Sequence, residues 1–137
     1  MHYSLSCLCG QAGLSVNTDI SDVGICHCSM CRRWSGSPMM AVHVGTEVEI
    51  RDEQAITRYA SSEWANRGFC THCGTHLFYQ LNHNQEYIVP AGLFPADVDF
   101  TLTSQIYIDH KPPYYEFANA TTKMTEAEFL ASAGVEV

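Results

Sequence analysis

Hydrophobic and polar residues alternate in short runs along most of the chain, a pattern typical of half-buried β-strands. Turn-forming residues separate these runs, for example at 17–19, 36–38 and 82–84. The predicted strands cover residues 3–7, 12–16, 23–28, 39–44, 48–51, 56–59, 67–70, 76–80, 87–91 and 105–108. Short strands at such close spacing predict an antiparallel, mainly β fold.

Two segments predict helices instead. Residues 30–34 are long enough for about one helical turn before Gly36. Near the end of the chain, Thr125 can cap a helix, Glu128 can complete a capping box and Gly134 can end it. This predicts a short C-terminal helix over about 125–133. No internal repeat or low-complexity tract interrupts the pattern, so we expect one domain over 1–137, with its core at about 5–117.

Composition narrows the class of protein. The 137 residues are 46% hydrophobic, which is enough for one core without stabilising cross-links. Seven basic residues against 15 acidic ones give a formal net charge of -8, which disfavours nucleic-acid binding. We find neither an apolar run that would span a membrane nor an N-terminal export signal, so we expect a cytoplasmic protein without membrane contact.

The seven cysteines are the chemically informative residues. An odd number cannot pair fully within one chain, and a reducing cytosol disfavours disulfides, so metal-bound thiolates are the leading interpretation. They fall into three groups along the sequence: Cys7 and Cys9; Cys26, Cys28 and Cys31; and Cys70 and Cys73.

The spacing within these groups suits zinc. On a strand, C-x-C would place Cys7 with Cys9, and Cys26 with Cys28, on one face. C-x-x-C instead suits a turn around an ion, and Gly10 can take the positive φ that such a turn needs. Seven ligands divide into a closed site of four and an open site of three, although another division, or a histidine ligand, is also compatible with the spacing. A redox dithiol and an iron–sulfur cluster fit the spacing less well.

Several ordered motifs together resemble one known family. They are Cys-x-Cys-Gly at 7–10, Cys-His-Cys-x-x-Cys-Arg-Arg-x-Ser-Gly at 26–36, Tyr-Ala-Ser-Ser at 59–62 and Arg-Gly-Phe-Cys-x-x-Cys-Gly at 67–74. In this order they are similar to the glutathione-dependent formaldehyde-activating enzyme family, which includes the centromere protein V type. The resemblance covers about residues 5–117.

The resemblance implies a zinc-stapled, β-tent-like (Mss4-like) fold with two Zn²⁺ per chain. A structural zinc would lie at Cys7, Cys9, Cys70 and Cys73, and a catalytic one at Cys26, Cys28 and Cys31. The implied activity is that of a carbon–sulfur lyase, which forms or cleaves S-(hydroxymethyl)glutathione, and the implied partner is a small-molecule thiol such as glutathione. After residue 90 the sequence differs from the family pattern along the expected substrate wall.

Candidate substrate-binding residues are Arg32, Arg33, Ser62 and Arg67. The two arginines after Cys31 can offset the negative charge of an added substrate thiolate, Arg67 can bind a substrate carboxylate, and Ser62 can donate a hydrogen bond to a ligand. Surface exposure explains the two arginines after Cys31 equally well, and turn capping explains the serine. We expect His27 to be a hydrogen-bonded structural residue. Two other functions stay open: a zinc-stabilised binding module without catalysis, and a chromatin module, which the negative charge disfavours.

Overall fold

The computed structural model describes residues 1–134, and these form a mainly β fold with a short C-terminal helix, as the sequence predicts. The backbone clusters into two compact units. The first contains Met1–Ser21 and Ala41–Asp99, and the second contains Asp22–Met40 and the chain from Phe100 onwards. The strands are β1 His2–Ser6, β2 Gly13–Asn17, β3 Asp22–Cys26, β4 Met39–Gly45, β5 Val48–Ile50, β6 Ile56–Tyr59, β7 Ala65–Cys70, β8 His76–Leu81, β9 Tyr87–Pro90, β10 Thr101–Ile106 and β11 Thr122–Met124.

The first unit contains two antiparallel arrangements. In one, β2 lies between β1 and β5. In the other, the order is β4-β9-β8-β7-β6. Apolar side chains that alternate along these strands form its core, because successive residues point to opposite faces. The buried core residues here include Leu5, Leu14, Val16, Leu77, Phe78 and Val89.

The second unit differs from the antiparallel prediction. β10 lies between β3 and β11 and pairs with both in parallel. Parallel neighbours need long connections instead of hairpins, and local alternation carries no information about such pairing. β10 also ends earlier than the predicted strand 105–108, because Tyr107 takes a left-handed φ of 55° and Ile108–His110 forms a 3-10 turn. β11 was not predicted.

Both predicted helices are present. α1 spans Ser29–Ser35, and Gly36 ends it with a φ of 77°. α2 spans Glu126–Ser132 and carries the complete capping box between Thr125 and Glu128. Two further 3-10 turns lie at Glu53–Ala55 and Ala91–Leu93. Within residues 1–134, every helix is too short or too polar to cross a membrane.

Candidate metal centres

The first unit brings four cysteine sulfurs together in what we call the four-cysteine cluster. It consists of Cys7, Cys9, Cys70 and Cys73, whose Sγ atoms all lie within 4.8 Å of one another. The Cys7–Cys9 and Cys9–Cys70 sulfur distances are 3.5 and 3.7 Å. Zn–S bonds of about 2.3 Å in a tetrahedron separate the sulfurs by about 3.8 Å, whereas a disulfide bond measures about 2.05 Å. The donor set and its spacing therefore fit Zn²⁺.

The local backbone explains why these sulfurs converge. β1 ends at Ser6, so Cys7 and Cys9 lie in a turn, and the prediction that they share one face of a strand is wrong. The turn is closed by the Gly10 N–H bond to the Cys7 carbonyl at 3.2 Å, with Gly10 at φ 83°. The chain must reverse here to aim both sulfurs at one point. At the other pair of cysteines, the Gly74 N–H donates to the Cys70 carbonyl at 2.9 Å and closes a turn that is one residue longer.

Hydrogen bonds to sulfur support the thiolate form of this cluster. The Ala12 N–H donates to Cys7 Sγ at 3.3 Å, and the Cys73 N–H donates to Cys70 Sγ at 3.4 Å. Thr75 Oγ1 accepts from the Leu8 N–H at 3.1 Å and also lies 3.1 Å from Cys73 Sγ, to which its hydroxyl can donate. The Thr75 hydroxyl and amide lower the pKa of Cys73 to about 5. Sequence analysis missed this role of Thr75.

Not all four thiols can ionise by themselves. The Gln11 N–H favours the Cys9 thiolate, but desolvation and the neighbouring thiols outweigh it and raise the pKa of Cys9 to about 12. Neighbouring thiolates repel one another, so the group as a whole loses its protons only when a cation compensates the charge. This is the behaviour expected of a metal site.

The second unit holds a three-cysteine cluster, Cys26, Cys28 and Cys31, whose Sγ atoms also lie within 4.8 Å of one another. Cys26 ends β3, Cys28 caps α1, and Cys31 is buried in the first turn of that helix. The Cys31 N–H donates to Cys28 Sγ at 3.3 Å. The predicted strand 23–28 is therefore too long: the chain leaves the strand after Cys26 because Cys28 starts a helix.

The three sulfurs share protons unequally. Hydrogen bonds from the Cys26 and Cys31 thiols lower the pKa of Cys28 to about 2. The hydrogen bonds of Cys26 with Cys28 and Cys31 raise the pKa of Cys26. The thiols titrate as a coupled group, so the thiol that donates to an ionised neighbour keeps its own proton. Three thiolates in this space require a cation, and soft sulfur donors favour Zn²⁺.

His27 lies between two cysteines of this cluster, but its side chain contacts other residues. Its side chain is fully buried, with Nδ1 2.7 Å from the Tyr115 hydroxyl and Nε2 2.8 Å from Gln105 Oε1. Burial lowers the pKa of His27, and the charges of Lys111 and Arg32 act in the same direction. Both ring nitrogens are thus occupied, and the prediction of a hydrogen-bonded structural histidine is confirmed.

The predicted substrate residues fall into both units. In the second, Arg32 is half-buried and its Nε donates to the His27 carbonyl at 2.9 Å, whereas Arg33 is exposed. In the first, Arg67 is buried, its guanidinium lies 4.8 Å from the Tyr79 ring centre and its Nε donates to Ser61 Oγ at 3.2 Å. Ser62 Oγ is buried and has no hydrogen-bond partner within residues 1–134.

Comparisons with known proteins agree with this geometry. The family model described as glutathione-dependent formaldehyde-activating enzyme matches residues 2–110. A Schizosaccharomyces pombe protein described as an uncharacterized lyase is 35% identical over 131 residues, which is 95% of this chain and 96% of the relative. A crystal structure of a Rhodobacter sphaeroides protein matches with a TM-score of 0.54 and 24% identity, covering 69% of this chain and 89% of that one, and shows similarity of fold.

Proposed function

Since the chain belongs to the glutathione-dependent formaldehyde-activating enzyme family, we propose that its three-cysteine cluster is the working site of a zinc-dependent carbon–sulfur lyase. The reaction joins a small thiol to an aldehyde. One S–C bond forms at the carbonyl carbon while the thiol proton passes to the former carbonyl oxygen. The reverse direction breaks the same S–C bond and returns the proton to sulfur. A relative described as a lyase supports this reaction class.

The observation that carries the proposal is the unequal number of sulfurs in the two clusters. Four cysteines complete a tetrahedral site, whereas Cys26, Cys28 and Cys31 provide only three donors, and both nitrogens of the adjacent His27 are already hydrogen-bonded. When bound at an open site, zinc supplies a Lewis acid that favours the thiolate of a substrate or polarises an aldehyde oxygen. The four-cysteine cluster is then the structural site.

Arg32 is the residue best placed to select the thiol. Three thiolates outweigh the charge of one divalent cation, so a further anionic substrate needs positive charge nearby. Arg32 Nε donates to the carbonyl of His27, the residue between Cys26 and Cys28, and the Arg32 Nη groups form no hydrogen bond in the part of the chain that the structure describes. We assign these Nη groups to a substrate carboxylate, as found in glutathione and cysteine. Exposed Arg33 adds positive potential.

Ser62 and Arg67 lie in the first unit, and we propose them as substrate-binding residues without assigning them to the three-cysteine cluster. The buried Ser62 Oγ has hydrogen-bonding capacity that the protein itself does not use, and a bound ligand can use it. The stacking of Arg67 on Tyr79 and its bond to Ser61 hold the guanidinium in one orientation, which suits recognition of a carboxylate.

The test is thiol binding by the zinc-loaded protein, measured by calorimetry with glutathione, cysteine and the uncharged 2-mercaptoethanol. The natural protein should bind about two zinc ions and bind the carboxylate-bearing thiols more tightly. Cys28→Ser should abolish thiol binding while the fold persists. Arg32→Gln should weaken glutathione binding about tenfold or more and weaken 2-mercaptoethanol binding much less, since a charged hydrogen bond contributes about 1.5–3 kcal/mol.

Lys123→Gln serves as the matched control, because it removes one positive charge from an exposed position on β11 of the same unit. Its thiol affinities should equal those of the natural protein. Thiol binding that survives Cys28→Ser would contradict the proposed site. Two firmly held zinc ions without any thiol binding would instead indicate a zinc-stabilised binding module.

A further inference from the structure

The backbone of His27 and Cys28 lies outside regular secondary structure. β3 ends at Cys26 and α1 begins at Ser29, so His27 and Cys28 lie between two regular elements. His27 is nevertheless held at four points. Two bonds use its backbone, from the His27 N–H to the Ile106 carbonyl at 3.2 Å and from Arg32 Nε to the His27 carbonyl at 2.9 Å. The other two use its ring.

The ring bonds have a defined direction. Gln105 Nε2 donates to Thr121 Oγ1 at 2.9 Å, so the Gln105 oxygen faces His27 and accepts from its Nε2 at 2.8 Å. With the proton on Nε2, Nδ1 is an acceptor, and the Tyr115 hydroxyl at 2.7 Å is its donor. The chain Tyr115–His27–Gln105–Thr121 therefore specifies one tautomer and one orientation of the buried imidazole.

Tyr115 is itself held in position by its neighbours. Its ring is stacked on His27, with centroids 5.5 Å apart and an interplanar angle of 23°, and packs edge-on against Phe117 at 5.9 Å. Lys111 Nζ lies 5.1 Å from the centre of the Tyr115 ring. These contacts direct the phenolic oxygen at Nδ1, although Tyr115 lies in an irregular segment 88 residues away from His27 in sequence.

We propose that Tyr115, acting through His27, is a positioning residue that holds the Cys26–Cys28 segment in its metal-binding conformation. The inference rests on the proposed function, because it takes the three-cysteine cluster as a zinc site. A fixed His27 ring sets the backbone on either side of it, and so sets the separation of the Cys26 and Cys28 sulfurs before an ion arrives. Preorganisation of this kind raises metal affinity without adding a ligand.

The experiment compares Tyr115→Phe, which removes only the hydroxyl, with Tyr114→Phe as the matched control. Tyr114 is 76% exposed, and its hydroxyl forms no hydrogen bond within residues 1–134. Zinc affinities of both sites are measured in the full chain by competition with a chromophoric chelator. Tyr115→Phe should weaken the more labile zinc about 10- to 100-fold and leave the tighter one unchanged. Tyr114→Phe should change neither.

A second readout separates positioning from general destabilisation. Nitrogen-15 NMR of the His27 ring should show a single Nε2–H tautomer in the natural protein and in Tyr114→Phe, and a mixture of tautomers in Tyr115→Phe. Circular dichroism checks that each variant is folded. Should Tyr115→Phe fail to fold, Thr121→Val, which releases the Gln105 amide, should weaken the same zinc in the same direction.

The outcomes distinguish the two proposals. Unchanged affinity for the labile zinc in a folded Tyr115→Phe, or an Nδ1–H tautomer in the natural protein, overturns the positioning role alone. Two zinc ions without thiol binding overturn only the proposed function. Uptake of a single zinc by the natural protein overturns both.

Discussion

Gly68 shows how closely one residue can be constrained by its neighbour. It is paired with Phe78 across β7 and β8, and a β-carbon at Gly68 would lie 2.2 Å from Phe78 Cζ. The Phe78 ring is 2% exposed, with the Arg58 guanidinium 5.0 Å from its centre and Tyr87 packed edge-on at 5.1 Å. The ring therefore has little freedom to move aside.

We accordingly expect Gly68→Ala to lower the free energy of unfolding by about 2 kcal/mol or more, the usual size of an overpacking penalty. Gly92→Ala is the control, since an added β-carbon there meets no atom within 4 Å and should change the stability by less than about 0.5 kcal/mol. Urea unfolding of both variants measures the difference. Equal stability of the two would contradict the packing argument.

At the scale of residues, the sequence identifies candidate metal ligands better than it identifies the residues that hydrogen-bond to them or hold them in position. The residue type and spacing of the cysteines indicate metal binding, and the structure brings them together in the two predicted groups. Tyr115 and Thr75 carry no such signal, because a tyrosine or threonine has many ordinary roles and their partners are set by folding. Tyr115 meets His27 across 88 residues. Thr75 contacts both Cys73, two residues before it, and Leu8, which lies in the turn that carries Cys7 and Cys9.

At the scale of elements, α2 depends on its N-terminal cap. The Thr125 hydroxyl accepts from the Glu128 N–H at 3.2 Å, and Glu128 Oε1 accepts from the Thr125 N–H at 2.9 Å. Thr125→Ala should destabilise the helix by about 1 kcal/mol, and Thr125→Ser should restore most of it. Cα chemical shifts of α2 measure this. Identical shifts in Thr125→Ala and the natural protein would show that the cap contributes nothing.

The same cap predicts an acid-dependent loss of the helix. The Thr125 amide and hydroxyl lower the pKa of Glu128 below its ordinary value of 4.5. A lowered pKa in the folded state stabilises the helix fully above the ordinary value, and this contribution disappears as the pH falls through the lowered pKa. The shifts of α2 should therefore move toward coil values below pH 4.5. Glu128→Gln should remove most of this pH dependence.

Elements defined by local signals were predictable, and those defined by distant pairing were not. The capping box and Gly134 specify α2 within ten residues of sequence, so its position was correct. β10 and β11 pair in parallel, and neither has the clear alternation of a hairpin strand. β10 ends where Tyr107 takes a left-handed backbone conformation. Because tyrosine rarely adopts this conformation, the sequence gives no sign of it.

At the scale of the whole molecule, the mainly β class follows from alternation and turn spacing, whereas coordination number favours a division of the seven sulfurs into four and three without requiring it. Spacing could not tell where the cysteine backbones would turn. In this protein the two cysteines of each C-x-C group converge because the chain either turns at the group or passes there from a strand into a helix. Both C-x-C groups accordingly leave the strands that alternation alone predicts.

Removal of the metal should have different effects at the two clusters if one is structural and the other is the working site. The four-cysteine cluster joins Cys9 to Cys70 across 61 residues, so an ion there closes a long loop and links the turn after β1 to the end of β7. Structural zinc contributes about 10 kcal/mol or more to folding, which exceeds much of the stability of a typical domain. Cys70→Ser should therefore abolish the cooperative unfolding transition, as should exhaustive chelation of the natural protein.

Cys28→Ser provides the comparison, because it also removes one sulfur ligand but lies in a cluster made from one short segment. It should release one zinc ion and keep a cooperative transition, since the strand and helix on either side have bonds of their own. Zinc release and near-ultraviolet circular dichroism, followed together during chelation, test the order of events. The first zinc should leave without loss of tertiary signal, and the second should leave with it. Simultaneous loss of both ions and of the signal would mean that both clusters stabilise the fold equally.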